Sequence, residues 1–161
     1  TDYIWRGKTQ NSGSEAAFVN GGIDYAGEGY YAGVWVGSLA DDVEVNYYVG
    51  TDINGFDVGF ISYEYSEAAA NLDFQEYYVG YSYQGFDLFY AVDVDDSDAD
   101  YFSVSYGLPT VVEGVDASLT YGELPNSDYL QLDLSVGDVV LTVVDTDADG
   151  TTTALSYSLP L

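Results

Sequence analysis

Apolar and polar residues alternate one by one along most of this chain, which is the pattern of β-strands with two different faces. The alternation is clearest in segment 43–50, where Val and Tyr residues alternate with Glu, Asn, Tyr and Gly. Segments 76–83, 86–95, 115–122 and 130–136 repeat it. A period of two over so many segments restricts the chain to an all-β fold.

Short clusters of Gly, Pro, Asn and Asp separate the alternating segments and predict turns. Gln84-Gly85 and Gly137-Asp138 predict two-residue hairpin turns. The breaks predict about twelve antiparallel strands of about ten residues each. Segment 66–71 is long enough for one helical turn only, and no other segment has a helical period. We therefore expect one domain, residues 1–161, folded as an antiparallel up-and-down β-barrel of about twelve short strands.

Charge and composition exclude several classes of function. The chain has 28 acidic residues, only Arg6 and Lys8 as cations, and a net charge of −26, so we expect cations and not nucleic acid as partners. It has no His and no Cys, which excludes a Ser-His-Asp triad, disulfides and thiolate metal sites, and we expect no enzyme. It also has no Met, so we expect that a leader has been lost or that an initiating segment precedes Thr1.

The alternation alone does not say which strand face meets water. In a soluble barrel the apolar face points inward, whereas in a membrane barrel it points to lipid. Gly and Ser are frequent on the acidic face, which favours a narrow, filled lumen and hence the outer-membrane type. With Arg6 on the same face of a first strand as Asp2 and Lys8, the parity predicts a lumen ion-pair network. Its members are Arg6, Asp24, Glu44 and Glu76.

The N-terminal half also resembles a known family. Segment 1–10, TDYIWRGKTQ, resembles the SDYxFRGxSQ opening of the Gcw_chp family, proteobacterial proteins of unknown function predicted to lie in the outer membrane. Segment 21–35 resembles the second hairpin of that family, and segments 43–50 and 76–83 resemble its VEVDxYxGY and EVYVGxSY motifs. The resemblance implies an exported β-barrel of a Gram-negative cell and implies no activity.

Two acidic runs are candidate calcium sites. In the first, Asp at alternate positions is followed by Gly150, as at the start of many calcium loops, but the later bidentate Glu is missing. The second run has similar alternation without the Gly. The alternative is that both runs are solvated hairpin loops. The candidate ligands are Asp145, Asp147 and Asp149 in the first run and Asp96, Asp98 and Asp100 in the second.

Three functions fit these observations. The first is a small barrel of the cell outer membrane with an acidic, largely filled lumen, structural or weakly cation-conducting, whose partner is the lipid bilayer. The second is an exported barrel subunit that assembles with copies of itself into an extracellular filament or surface layer, bridged by calcium. The third is a soluble acidic ligand-binding barrel with its apolar face inside.

Overall fold

The computed structural model describes residues 3–10, 18–39, 42–66, 72–110 and 112–159. The strands in these residues are β1 (Ile4–Trp5), β2 (Lys8–Thr9), β3 (Asn20–Ala26), β4 (Tyr31–Ser38), β5 (Val43–Ile53), β6 (Phe56–Tyr65), β7 (Phe74–Tyr83), β8 (Phe86–Asp93), β9 (Asp100–Leu108), β10 (Asp116–Leu124), β11 (Ser127–Val136), β12 (Val139–Thr146) and β13 (Gly150–Tyr157). Residues 67–71, most of the segment with one predicted helical turn, lie outside the described residues. Within those residues, no helix is long and apolar enough to cross a membrane.

Strands β3 to β13 form one eleven-stranded antiparallel sheet in which each strand pairs only with its neighbours in sequence. The predicted all-β, up-and-down arrangement is therefore confirmed. A closed barrel is not shown, because no ladder joins the edge strands β3 and β13 in the described part of the chain. Since neighbouring strands alternate in direction, an odd number of strands leaves β3 and β13 running the same way.

The predicted two-residue turns are present. Gln84 and Gly85 both have positive φ, 51° and 85°, as a type I′ turn requires. Gly137 has φ 57° at the first position of the β11–β12 turn. The predicted continuous first strand is wrong, because Arg6 (φ 48°) and Gly7 (φ 77°) form a tight turn between β1 and β2. We call β1, β2 and this turn the N-terminal hairpin.

The large sheet wraps around the N-terminal hairpin. Tyr3 contacts Trp35 of β4, whereas a Cβ at Gly7 would run into the ring of Tyr129 of β11. In a flat sheet these two strands would lie about 34 Å apart, but residues 3–7 span at most about 18 Å. The sheet must therefore curve, and the face that contacts the hairpin is its inner face.

The outer face of the sheet is apolar and exposed, and the inner face is mixed. Ile23 is 81% exposed and Tyr47 is 51% exposed, and Val, Leu, Phe and Tyr residues of the other strands continue this surface. Glu44 and Glu76 face inward and are only 3% and 2% exposed. The face with the acids and the small residues is thus the covered one, opposite to the usual arrangement in a soluble sheet.

Candidate functional site

The turn of the N-terminal hairpin inserts Arg6 against the inner face of the sheet. Both terminal nitrogens of its guanidinium donate to the carboxylate oxygens of Glu76, each at 2.6 Å. The carbon between those nitrogens lies 4.3 Å from the centre of the Trp5 ring and 4.1 Å from that of Tyr101. A bidentate pair held between two aromatic faces fixes the position of the hairpin in the sheet.

The Arg6–Glu76 pair is buried, with side-chain exposures of 9% and 3%. Burial is the largest single influence on Arg6 and disfavours its charge, but the hydrogen bonds to Glu76 together with the charge interactions with Glu76, Tyr63 and Tyr101 hold the pKa of Arg6 above its ordinary value. Aromatic contacts extend the anchor, because the Trp5 ring lies 5.7 Å from that of Tyr63 and 6.1 Å from that of Phe74. The hairpin therefore fills the space that the curved sheet encloses.

The other members of the predicted ion-pair network do not join Arg6. Glu44 lies on β5 and accepts a hydrogen bond from the Asn46 amide at 2.9 Å. Asp24 lies on β3 and accepts one from the Tyr48 hydroxyl. The structure thus brings Arg6 and Glu76 together, and it places Glu44 and Asp24 against other partners, Asn46 and Tyr48.

A second polar cluster on the inner face consists of tyrosines and aspartates. The Tyr31 hydroxyl donates to Asp57 at 2.6 Å and lies 2.5 Å from the Tyr78 hydroxyl. Farther along the same inner face, the hydroxyls of Tyr101 on β9 and Tyr129 on β11 lie 2.6 Å apart. Sequence reasoning placed small residues on this face but missed these tyrosine hydrogen bonds.

Tyrosine rings on the inner face lie across glycines of neighbouring strands. A Cβ added at Gly33 would collide with the ring of Tyr48, and one at Gly59 would collide with that of Tyr78. The same holds for Gly122 beneath Tyr129. Aromatic rings that cover glycines in this way stabilise curved sheets. The register therefore explains why Gly and Tyr occur together on the acidic face.

Acidic side chains lie on the inner face of several strands, on the side of the sheet where the guanidinium of Arg6 lies. Some are partnered by neutral donors: Asp133 accepts hydrogen bonds from Gln131 at 2.8 Å and from Thr142 at 2.6 Å. Because these carboxylates lie on the concave side of the sheet, they make the potential there negative. Inward-facing acids include Asp24, Glu44, Asp57, Glu76, Asp87 and Asp133.

The first acidic run forms the β12–β13 turn, where its side chains bond to protein groups. Asp145 accepts a hydrogen bond from the Thr151 hydroxyl at 2.6 Å, and Asp147 accepts one from that of Ser127 at 3.0 Å. Asp149 takes part through its backbone N–H, which donates to a neighbouring hydroxyl. These carboxylates belong to a hydrogen-bonded hairpin turn.

The second run is similar. Asp96 accepts a hydrogen bond from the N–H of Asp98 at 3.0 Å, and Asp100 accepts one from the Tyr90 hydroxyl at 3.3 Å. Among the residues that the structure describes, no three acidic side chains come together as a metal site. Calcium binding at either run stays a prediction.

Comparisons with known proteins add no assignment. No family model, no curated protein and no solved structure matches this chain. The resemblance to the Gcw_chp family therefore stays a prediction from segments 1–10, 21–35, 43–50 and 76–83.

Proposed function

We propose that this chain is a small outer-membrane protein of the β-barrel type, with an acidic interior that its own N-terminal hairpin largely fills. Its role is structural or weakly cation-conducting. The observation that carries the proposal is the orientation of the two faces. The apolar outer face is exposed across the whole sheet, while the buried ion pair Arg6–Glu76 lies inside.

The extent of the outer face supports a lipid environment. A soluble monomer rarely exposes an apolar patch larger than a few hundred Å². Here the exposed apolar surface runs from Ile23 on the first strand of the sheet to Leu155 on the last. Hydrocarbon chains are the partner that such a continuous apolar surface fits.

Strand length and aromatic placement point the same way. β5 has 11 residues and β6, β7 and β11 have 10 each, the length that a tilted strand needs to cross a bilayer. Beside the tight turns, the outward rings of Phe56 and Tyr81 stack at 4.7 Å, and those of Phe86 and Tyr106 lie 4.5 Å apart. Phe102 lies near the opposite strand ends. Two aromatic belts of this kind suit the two membrane interfaces.

Brominated lipids test the orientation directly, because bromine quenches only tryptophans that touch acyl chains. Both native tryptophans, Trp5 and Trp35, lie inside and serve as the internal control. In vesicles of brominated phosphatidylcholine we expect little loss of wild-type emission. The variant Leu119→Trp places a tryptophan on the outer face of β10, and we expect its added emission to be quenched. Added emission that stays unquenched in protein that has entered the vesicles, or protein that stays soluble without lipid or detergent, would contradict the proposal.

One observation favours the second candidate, a self-assembling exported subunit. Among the described residues, β3 and β13 are the two edge strands of the sheet, and edge strands can pair with another copy. Electron microscopy of the native particle separates the two functions. Ordered fibres that fall apart in chelator favour the filament, and single particles in detergent favour the membrane protein. The third candidate requires the apolar face inside, and the observed orientation gives it no support.

A further inference from the structure

Glu44 is a buried carboxylate without a cationic partner. Glu44 is only 3% exposed, and the group that donates a hydrogen bond to its carboxylate is the neutral amide of Asn46. The side chains of Arg6 and Lys8 lie elsewhere: both terminal nitrogens of Arg6 donate to Glu76, and Lys8 is exposed. Burial raises the pKa of Glu44, and a buried carboxylate with one neutral donor is strongly unfavourable unless a bound cation or a proton compensates its charge.

A second buried group beside Glu44 also lacks a partner. Asn46 is 7% exposed, and while its amide nitrogen donates to Glu44, its carbonyl oxygen Oδ1 is buried without a hydrogen-bond donor. The two residues lie two positions apart on the inner face of β5. They thus place a carboxylate and an orphaned carbonyl oxygen next to each other in a covered site, which is the ligand chemistry of a hard cation.

Three tyrosines, two on β6 and one in the N-terminal segment, lie around Glu44 and Asn46. Tyr65 of β6 is the register partner of Glu44, and Tyr63 is that of Asn46. The Tyr3 phenol of the N-terminal segment is close enough that the Glu44 charge, after burial, contributes to raising the pKa of Tyr3. These phenols are neutral at pH 7, so they supply oxygen atoms but no compensating charge.

We infer that Glu44 and Asn46 bind one dehydrated monovalent metal cation, Na⁺ or K⁺, on the inner face of β5. The charge count selects a monovalent ion. Among the described residues no three His, Cys, Asp or Glu side chains come together as a metal site, and one carboxylate with neutral oxygens balances a charge of +1. The negative interior would concentrate such ions at the site.

Thermal unfolding in matched salts tests the inference on the full-length protein in detergent. Circular dichroism would compare Tm in NaCl, KCl, CaCl₂ and N-methyl-D-glucamine chloride at equal ionic strength, the last cation being too large for the site. An ion at about ten times its Kd raises Tm by about 3 to 6 °C. We expect this rise in NaCl or KCl for the wild type and its loss in Glu44→Gln, which keeps the shape of the side chain.

Two further variants control for general charge effects. Asn46→Leu removes the orphaned oxygen and should also lose the rise. Asp133→Asn removes an inner-face charge that already has two neutral donors, so it should keep the rise. Equal Tm in the three monovalent salts would overturn the inference, since a proton would then be the occupant. A rise that persists in Glu44→Gln, or that only CaCl₂ produces, would overturn it as well.

Discussion

Replacing Arg6 by methionine removes the guanidinium that contacts both carboxylate oxygens of Glu76 and keeps an unbranched apolar side chain in place of the arginine stem. Glu76 is 2% exposed, so the change leaves a buried anion without its partner. Removing one member of a buried pair costs about 3–5 kcal/mol. The guanidinium also lies 4.3 Å from the centre of the Trp5 ring and 4.1 Å from that of the Tyr101 ring, so the change removes two cation–π contacts as well.

We therefore expect Arg6→Met to lower the free energy of unfolding by about 4 kcal/mol, or Tm by about 8–16 °C. Arg6→Lys keeps the charge but loses the bidentate geometry, so its loss should be smaller. The double variant Arg6→Met/Glu76→Gln removes both charges, and its cost should be at least about 2 kcal/mol below the sum of the two single variants.

Urea unfolding in detergent micelles, followed by far-ultraviolet circular dichroism, measures these values without relying on the fluorescence of Trp5, which touches the mutated side chain. A loss below about 0.5 kcal/mol for Arg6→Met would refute the reasoning, because surface pairs have that magnitude. Strict additivity of Arg6→Met and Glu76→Gln would refute it equally, since it would show that the two side chains do not interact.

Three other predictions follow from the same structure. Gly33→Ala should cost about 1–3 kcal/mol in urea unfolding, because its Cβ meets the Tyr48 ring, whereas Gly21→Ala, with open space around it, should be neutral. In planar bilayers, a chain without residues 1–10 should conduct cations better than the full chain, and anion selectivity would contradict the acidic interior. Hydrogen bonds from Ser66 lower the pKa of Asp42. The stability that these bonds contribute is therefore fully present above the ordinary pKa range of aspartate, and it is lost as pH falls through the lowered pKa. The protection of the Ser66 amide, its exchange rate relative to an unstructured peptide at the same pH, should therefore fall in acid in the wild type, and in Asp42→Ala it should be low at all pH values, where only the bond to the Val43 carbonyl remains.

The strand pattern was predictable because the two faces of most strands carry different classes of side chain, apolar on one face and mixed polar and small on the other. In segment 43–50 the side chains observed outside and inside are those that the alternation separates, and the turn at Gln84-Gly85 is where its sequence places it. Local chemistry decides both features. Closure was not predictable, because it depends on how the two edges of a long sheet meet, and no local pattern encodes that.

The first strand was mispredicted although its sequence contains the signal. Arg6-Gly7 has the same X-Gly form as Asn54-Gly55 and Gln84-Gly85, and all three pairs adopt positive φ at both residues. Apolar and polar residues alternate on both sides of Arg6, so the sequence pattern predicted a continuous strand in place of the turn. Its contact with Glu76 was nevertheless among those expected, because charge complementarity between a lone cation and inward acids does not depend on the local strand assignment.

The alternation does not predict which face of the sheet points inward, since a period of two is the same for both orientations. What decides it in the structure are long-range contacts: tyrosine rings over glycines of the next strand, and the hairpin against the inner face. The Tyr48–Gly33 contact pairs two positions whose relation appears only once the β4–β5 register is known.

The sequential pairing of the sheet has a consequence for the order in which the chain assembles. Every ladder from β3 to β13 joins neighbours in sequence, so each hairpin closes only a short loop. The Arg6–Glu76 contact, by contrast, spans 70 residues and also requires β9 to present Tyr101. The N-terminal hairpin is thus expected to reach its native contacts after the sheet has formed. Substitutions at Arg6 should accordingly speed unfolding while leaving the folding rate of the sheet nearly unchanged.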